Sequence, residues 1–365
     1  MSKGAGRIAG LGLRLLILAF TWALFAAHAQ QTAEAAGGLS PACDWLGNGR
    51  IAFGYRLDAP PFSFAEPLLP TSAGCGAAQQ REQKDKSELQ DNNGRERIRQ
   101  AICRPAGYSV EICRLIQDHL LQICPGTVVT WKPVTAGTRF EALRSGEIDL
   151  LCGTPTVSVA RLREFDASLF TFLTGASFIC TRDSKIAALK DMPNKRIGFL
   201  RDSTTESVLR RLLREANATG YALGSVPSYR CAFDLLRGSG KADDCKWRWD
   251  WGDTPPDDQR DTTTVDCFVG DRDILAYYYS NALKESKEHY FFEGTYHSLE
   301  PYAIFLRRDR SPELLYHVNL RLVQMFRRDP KFRDSIYSIF EDYFGSALMS
   351  DHLRKLFEVQ RLPFE

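Results

Sequence analysis

The chain has 365 residues, with 47 Lys and Arg against 45 Asp and Glu, a formal charge of +2, and a mean hydropathy of −0.28. That balance gives no electrostatic case for a nucleic-acid partner. The length suits two ordinary domains.

Residues 1–29 read as a signal peptide. Lys3, Arg7 and Arg14 precede an apolar run over 15–27, and Ala27-His28-Ala29 is a small-x-small cleavage pattern. Cleavage near Ala29 leaves Gln30 first; a second such pattern, Ala33-Glu34-Ala35, follows closely. A retained anchor is the alternative, but the run is short of the roughly 20 residues a spanning helix needs. Removing three basic and no acidic residues takes the formal charge from +2 to −1. No Cys follows the cut to carry a lipid, and no other stretch reads as a membrane span.

Residues 51–55 are a short apolar run feeding Ala59-Pro60-Pro61, a strand ending in a loop. Residues 70–104, rich in Gly, Gln and charge, read as an insertion bracketed by Cys75 and Cys103. The spacing of Ile112, Ile116 and Leu120 predicts a helix over 107–121. A strand at 128–131, a helix over 138–145, a buried strand at 148–151 and a helix from Ser158 to about 164 follow. This alternation argues for a mostly parallel sheet covered by helices.

The pattern then restarts. Strands are expected at 176–181, 196–200, 265–269 and 302–306. Helices are expected from Ser203, with Val208, Leu209 and Leu212 inward, and over 229–237 and 272–283. A second polar insertion, 239–263, holds Cys245, Trp247, Trp249 and Trp251. The tryptophans alternate, so in a strand they share one face, which covers either the protein's own insertion or a partner. Two amphipathic helices close the chain, one opening at Ser311-Pro312-Glu313 and one over 330–343.

In open α/β sheets ligands sit beyond the carboxyl ends of the strands. There the chain offers Arg56, whose guanidinium suits a carboxylate; the plain alternative is a surface arginine paired with Asp58. Next come Thr154, Thr156 and Arg161, where Ser158 opens a helix whose N-terminus favours an anion. Ser203 and Thr204 place hydroxyls at a second strand-to-helix turn, where Ser203 and Glu206 also have capping-box spacing. Asp271 follows a strand and suits a ligand ammonium, or simply caps the next helix. Cations for a carboxylate and an anion for an amine match a zwitterion. There is no C-x-x-C, the six histidines are scattered, and neither a metal nor a cofactor is expected.

Six stretches then carry a resemblance, in order: G-Y-R-L-D-A-P-P-F-S-F (54–64), G-Y-S-V-E-I-C (107–113), T-R-F-E-A-L-R-S-G-E-I-D-L-L-C-G-T-P-T-V-S-V-A-R (138–161), D-S-T-T-E (202–206), F-V-G-D-R-D-I-L (268–275) and E-P-Y-A-I (300–304). Over about 50–345 the chain resembles bacterial extracellular solute-binding proteins of family 3, the amino-acid binders of ABC transporters. The resemblance implies an α/β fold of the periplasmic-binding-protein type II, a two-lobe flytrap. Two parallel-rich sheets with helices would be joined by crossing segments near 174–181 and 296–303. Lobe 1 would comprise 41–174 and 299–365, and lobe 2 residues 179–295. Arg161 matches the arginine that holds the ligand α-carboxylate, with Thr154 and Thr156 beside it. Ser203, with Thr204 next to it, matches the second-lobe hydroxyl, and Asp271 the acid that holds the α-ammonium. Arg56 and Arg139 match positions that tend to be arginine in glutamate and aspartate binders. Ala136 stands where basic-ligand members often carry a stacking aromatic. The ligand implied is a polar amino acid, acidic or amide. Asp202, where the family usually has Gly, and Pro155 depart from the pattern.

Ten cysteines in an exported chain point to disulfides. Cys113 with Cys152 faces one lobe's core. Cys43 with Cys124 joins ends that a returning helix brings together, and Cys75 with Cys103 closes the first insertion. Cys180, Cys231, Cys245 and Cys267 remain for the second lobe. The expectation is a periplasmic, monomeric, non-enzymatic protein that closes on a small zwitterionic or anionic ligand and delivers it to ABC transporter membrane subunits. Its rivals are a dehydratase of prephenate-like substrates on the same fold and an accessory or sensory module presenting ligand to another protein.

Overall fold

The computed structural model describes residues 41–46, 48–67, 103–238, 245, 249–250, 265–281, 283, 289–310, 312–345 and 349–363. The expected signal peptide, Cys75 with most of the first insertion, and Trp247 and Trp251 with most of the second lie outside these residues.

Strand β1 (Arg50–Arg56) runs through the first lobe's core, with Phe53, Gly54, Tyr55 and Arg56 all buried. Two short strands, β2 (Asp58–Ala59) and β3 (Ser63–Pro67), pair with β4 (Cys103–Ala106) in a small antiparallel sheet. Helix α1 (Tyr108–Ile123) buries Ile112, Cys113, Ile116 and Leu120 on one stripe. After it come β5 (Val128–Val134), α2 (Arg139–Arg144), β6 (Leu150–Cys152), the short turn α3 (Val159–Leu162) and β7 (Phe165–Thr174). Ser158 caps α3, its hydroxyl accepting from the Arg161 amide.

The chain then enters a second sheet through Gly175. Beyond it lie β8 (Ala176–Thr181), β9 (Arg196–Leu200), α4 (Thr205–Glu215), β10 (Ala222–Val226), α5 (Tyr229–Leu236), β11 (Trp249–Asp250), β12 (Cys267–Asp271), α6 (Arg272–Asn281) and β13 (Tyr290–Phe292). It returns to the first sheet as β14 (Glu300–Arg307). The first sheet runs β5-β1-β6-β14-β7, parallel over its first three strands and antiparallel at β14. The second runs β11-β10-β9-β12-β8-β13, parallel at β10-β9-β12. The two sheets are therefore parallel-rich and joined twice. At the first join a Cβ on Gly175 would meet the Ser298 carbonyl oxygen at 1.9 Å, so the two passages press together where only glycine fits.

Three helices close the chain where the sequence suggested two: α7 (Pro312–Arg327), α8 (Ile336–Phe344) and α9 (Asp351–Val359). Val318, Phe340 and Phe357 join Ile112 and Ile116 of α1 in one core, so these helices return to the first lobe. Just past α9, the Gln360 amide donates to and accepts from the Phe170 backbone of β7, both at 2.7 Å.

Disulfides join Cys43 to Cys124 and Cys113 to Cys152 in the first lobe, and Cys180 to Cys267 and Cys231 to Cys245 in the second. Cys103 is also disulfide-bonded. Cys180 and Cys267 are cross-strand partners of the antiparallel β8–β12 pair.

Candidate functional site between the lobes

The ends of β1 and β6, the turn before α3 and the helix α2 belong to the first lobe. The turn before α4, the start of α5 and the end of β12 belong to the second. Hydrogen bonds run directly between the two groups. Arg139 Nη2 donates to the Asp202 carbonyl at 2.8 Å. The Thr204 hydroxyl reaches Glu300 Oε2 at 2.6 Å and the Thr156 hydroxyl at 3.2 Å. The Tyr302 hydroxyl donates to Asp271 Oδ2 at 2.5 Å, and the Tyr229 hydroxyl to the same atom at 3.4 Å.

Arg56, Arg139 and Arg161 are brought together here. Arg56 and Arg139 are buried, and Arg161 is partly exposed. Arg56 forks Nε and Nη2 onto Asp58 Oδ1 at 3.2 and 2.6 Å. The Arg56–Asp58 pair thus exists, but the arginine is buried and not a surface residue. Arg139 donates to the Ala136 carbonyl as well as to Asp202, and its Nε is buried without a partner. Burial, then the charges of Arg56 and Arg161, push the Arg139 guanidinium down to about 9, so it stays charged at neutral pH. Arg161 donates to the Thr156 carbonyl at 2.7 Å, and burial lowers its pKa too. The Phe140 ring lies against both cations, 5.1 Å from Arg139 Cζ and 4.5 Å from Arg161 Cζ.

With them are the acids Asp271, from the second lobe, and Glu300, from the first. Burial, then the charge of Glu300, pushes Asp271 up to about 7, against the Tyr302 hydrogen bond and the pull of Arg139 and Arg56. Asp271 lies within β12, paired with Ala176, and its carboxylate turns to tyrosine hydroxyls. The amide of Arg272 at the head of α6 goes instead to the Gly175 carbonyl. Glu300 Oε2 accepts from Thr156 at 2.9 Å, and Oε1 from Ser298 at 2.8 Å.

The hydroxyls divide differently from the sequence expectation. Thr156 and Thr204 both face Glu300, and Thr154 is buried on the first turn. Ser203 donates to the Leu200 carbonyl at 2.6 Å and accepts from the Thr205 amide, within its own turn. The capping box is not formed, because Glu206 pairs with Arg210. Asp202 takes a positive φ of 56°, the backbone form that a glycine would adopt freely, and that turn aims its carbonyl at Arg139. Sequence reading did not pick out Asp58, Phe140, Tyr229, Glu300 or Tyr302 as site residues; Glu300 and Tyr302 did stand in the E-P-Y-A-I stretch. Among the described residues, no group of three or more His, Cys, Asp or Glu is placed to hold a metal ion.

Two α/β lobes joined twice, with charged side chains converging between them, define a two-lobe binding-protein architecture. The chain belongs to the bacterial extracellular solute-binding proteins, family 3, matching that family over residues 96–346. It is 30% identical over 138 residues to the glutamine-binding protein of Geobacillus stearothermophilus, covering 37% of this chain and 50% of that protein. It is 25% identical over 216 residues to the glutamate/aspartate import solute-binding protein of Salmonella typhimurium, covering 59% of this chain and 60% of that protein. The match thus spans about half the length of these relatives, 50% of the first. Among solved structures, an ancestral arginine-binding protein bound to arginine superposes with a TM-score of 0.54 at 22% identity, covering 82% of this chain and 99% of that one. An ancestral amino acid-binding protein, a precursor of cyclohexadienyl dehydratase, does so with a TM-score of 0.54 at 19% identity, covering 84% and 100%. At such identities the likeness establishes the fold.

Proposed function

We propose that this is an exported substrate-binding protein of an ABC transporter that closes its lobes around a polar amino acid. The observation that carries it is the convergence of opposite charges in the cleft: Arg139, Arg161 and Glu300 from the first lobe, with Asp271 from the second. The α-carboxylate goes to Arg161, beside Thr154 and Thr156, and the α-ammonium to Asp271. Arg139 keeps a donor for the ligand side chain, its unpartnered Nε. The names of the relatives, glutamine-binding and glutamate/aspartate import proteins, support the ligand class. Only the closed form offers both ends of a zwitterion their partners, so ligand shifts the population toward closure. That closed form is what the transporter's membrane subunits would recognise, in the periplasm, after removal of residues 1–29.

The test is thermal unfolding of the mature, oxidised protein with glutamine, asparagine, glutamate and aspartate. A ligand at about 100 times its Kd adds about 2.7 kcal/mol, expected to raise the midpoint by about 3–6 °C. Arg161→Ala should weaken binding at least about 30-fold, the loss typical of a truncated buried charge pair. Absence of a shift with any of the four ends this reading. One observation favours a second reading. Asp271, held at about 7, suits an acid–base group for dehydration of a cyclic dicarboxylate. Conversion of prephenate to phenylpyruvate, with loss of water and carbon dioxide, would establish it.

A further inference from the structure

The three arginines of the site differ in what they hold. Arg139 and Arg161 donate to carbonyl oxygens. Arg56 instead has a carboxylate bonded to it, Asp58, whose side chain is 19% exposed against 2% for the arginine. Asp58 is also fixed from the other lobe. Its Oδ2 accepts from the Tyr229 amide at 3.1 Å, and its carbonyl accepts from the Tyr278 hydroxyl at 3.1 Å. Tyr278 in turn stacks on Phe233, ring centroids 4.4 Å apart, so the hydroxyl is held by packing within the second lobe.

We infer that Asp58 is a built-in counter-ion for Arg56 that makes the site select an amino acid with an amide side chain over one with a carboxylate side chain. The inference rests on the amino-acid-binding reading and deepens it. Three arginines, Arg56, Arg139 and Arg161, face three acids, Asp58, Asp271 and Glu300. A zwitterion with an uncharged side chain leaves that balance intact. A second ligand carboxylate adds a negative charge to a desolvated site and meets Asp58 at the arginine that would otherwise receive it. The Asp58 carboxylate cannot swing aside without breaking its bond to the Tyr229 amide, and the Tyr278 hydroxyl holds the Asp58 main chain in place, so closure itself keeps Arg56 occupied. An amide oxygen needs only a neutral acceptor's share of donors, and the buried Arg139 Nε supplies one.

The experiment is titration calorimetry at pH 8 with glutamine, asparagine, glutamate and aspartate, on the mature protein and on Asp58→Asn. That substitution removes the charge and keeps one oxygen for Arg56, at the loss of the acceptor for the Tyr229 amide. The wild type is expected to bind an amide at least about tenfold tighter than the corresponding acid. Asp58→Asn should gain at least about tenfold for the acid, narrowing or reversing the ratio. An acid bound tighter than its amide by the wild type overturns the inference, as does an unchanged ratio in the folded variant. Asp58→Ser replaces the first variant if that one does not fold, and the wild-type ratio decides in any case. If none of the four binds the wild type, the amino-acid-binding reading itself falls. Binding with a ratio indifferent to Asp58 removes only this inference.

Discussion

Asp271 is under two opposed demands. An ammonium ligand needs it ionised, yet burial and Glu300 hold its carboxyl at about 7. In the unfolded chain the same group titrates near 3.8. Between those values the folded protein binds more protons than the unfolded one, so stability falls as pH rises through that window and stays lower above it. Asp271→Asn should therefore stabilise the ligand-free protein by about 1–4 kcal/mol at pH 8 and by little below pH 4, as read from denaturant unfolding at both pH values. The same variant should lose ligand binding. In the wild type, affinity should fall up to about tenfold per unit below pH 7, as the proton competes with the ammonium; titration calorimetry from pH 5 to 8 checks this. The sequence offered Asp271 as an acid beyond a strand, and that was legible from the strand-to-helix spacing. Its environment was not. Glu300 and Tyr302 arrive from the other sheet, and only folding sets them beside it.

At the scale of elements, the first-lobe helices were legible where one face alone is buried. The Ile112, Ile116 and Leu120 stripe marks α1 because its other face meets water. Strand β7 was not read as a strand, since its burial does not alternate with a period of two: Phe165, Ser168, Thr171, Phe172 and Thr174 are its buried positions. Contacts between helices were equally hidden. His119 of α1 and His317 of α7 meet with ring centroids 5.7 Å apart, and Trp45 stacks on His317 at 5.1 Å. His119 Nε2 and His317 Nδ1 are buried without hydrogen-bond partners. Burial, then His317 and Arg321, lowers the pKa of His119; burial, against Glu313, lowers that of His317. The unfolded chain then takes up protons first as pH falls below about 6.5, so stability present above that value is lost in acid. The thermal midpoint should drop between pH 6.5 and 5. The drop should be smaller in the His119→Gln, His317→Gln double variant. Equal drops in both proteins would place the acid sensitivity elsewhere.

At the scale of the molecule, hydrogen bonds within the protein itself join the two lobes. Thr204 to Glu300, Arg139 to the Asp202 carbonyl, and Tyr229 and Tyr278 to Asp58 all join first lobe to second. Each is a protein–protein hydrogen bond that replaces contacts with water on closure, with a net value of about 1 kcal/mol. A few such bonds are enough to move a two-state equilibrium between open and closed forms by tens of fold. Removing two of them with Thr204→Ala and Tyr278→Phe should therefore open the ligand-free protein. Small-angle scattering should show a larger radius of gyration for the double variant alone and the wild-type value once ligand is saturating. Affinity should fall by the fraction of the closed form lost, since only closed molecules offer both ends of the site. The two effects must move together. A weaker affinity with an unchanged radius would mean that Thr204 contacts the ligand itself, and an enlarged radius that ligand does not reverse would mean that the passages at Gly175 and Ser298 set the lobe angle.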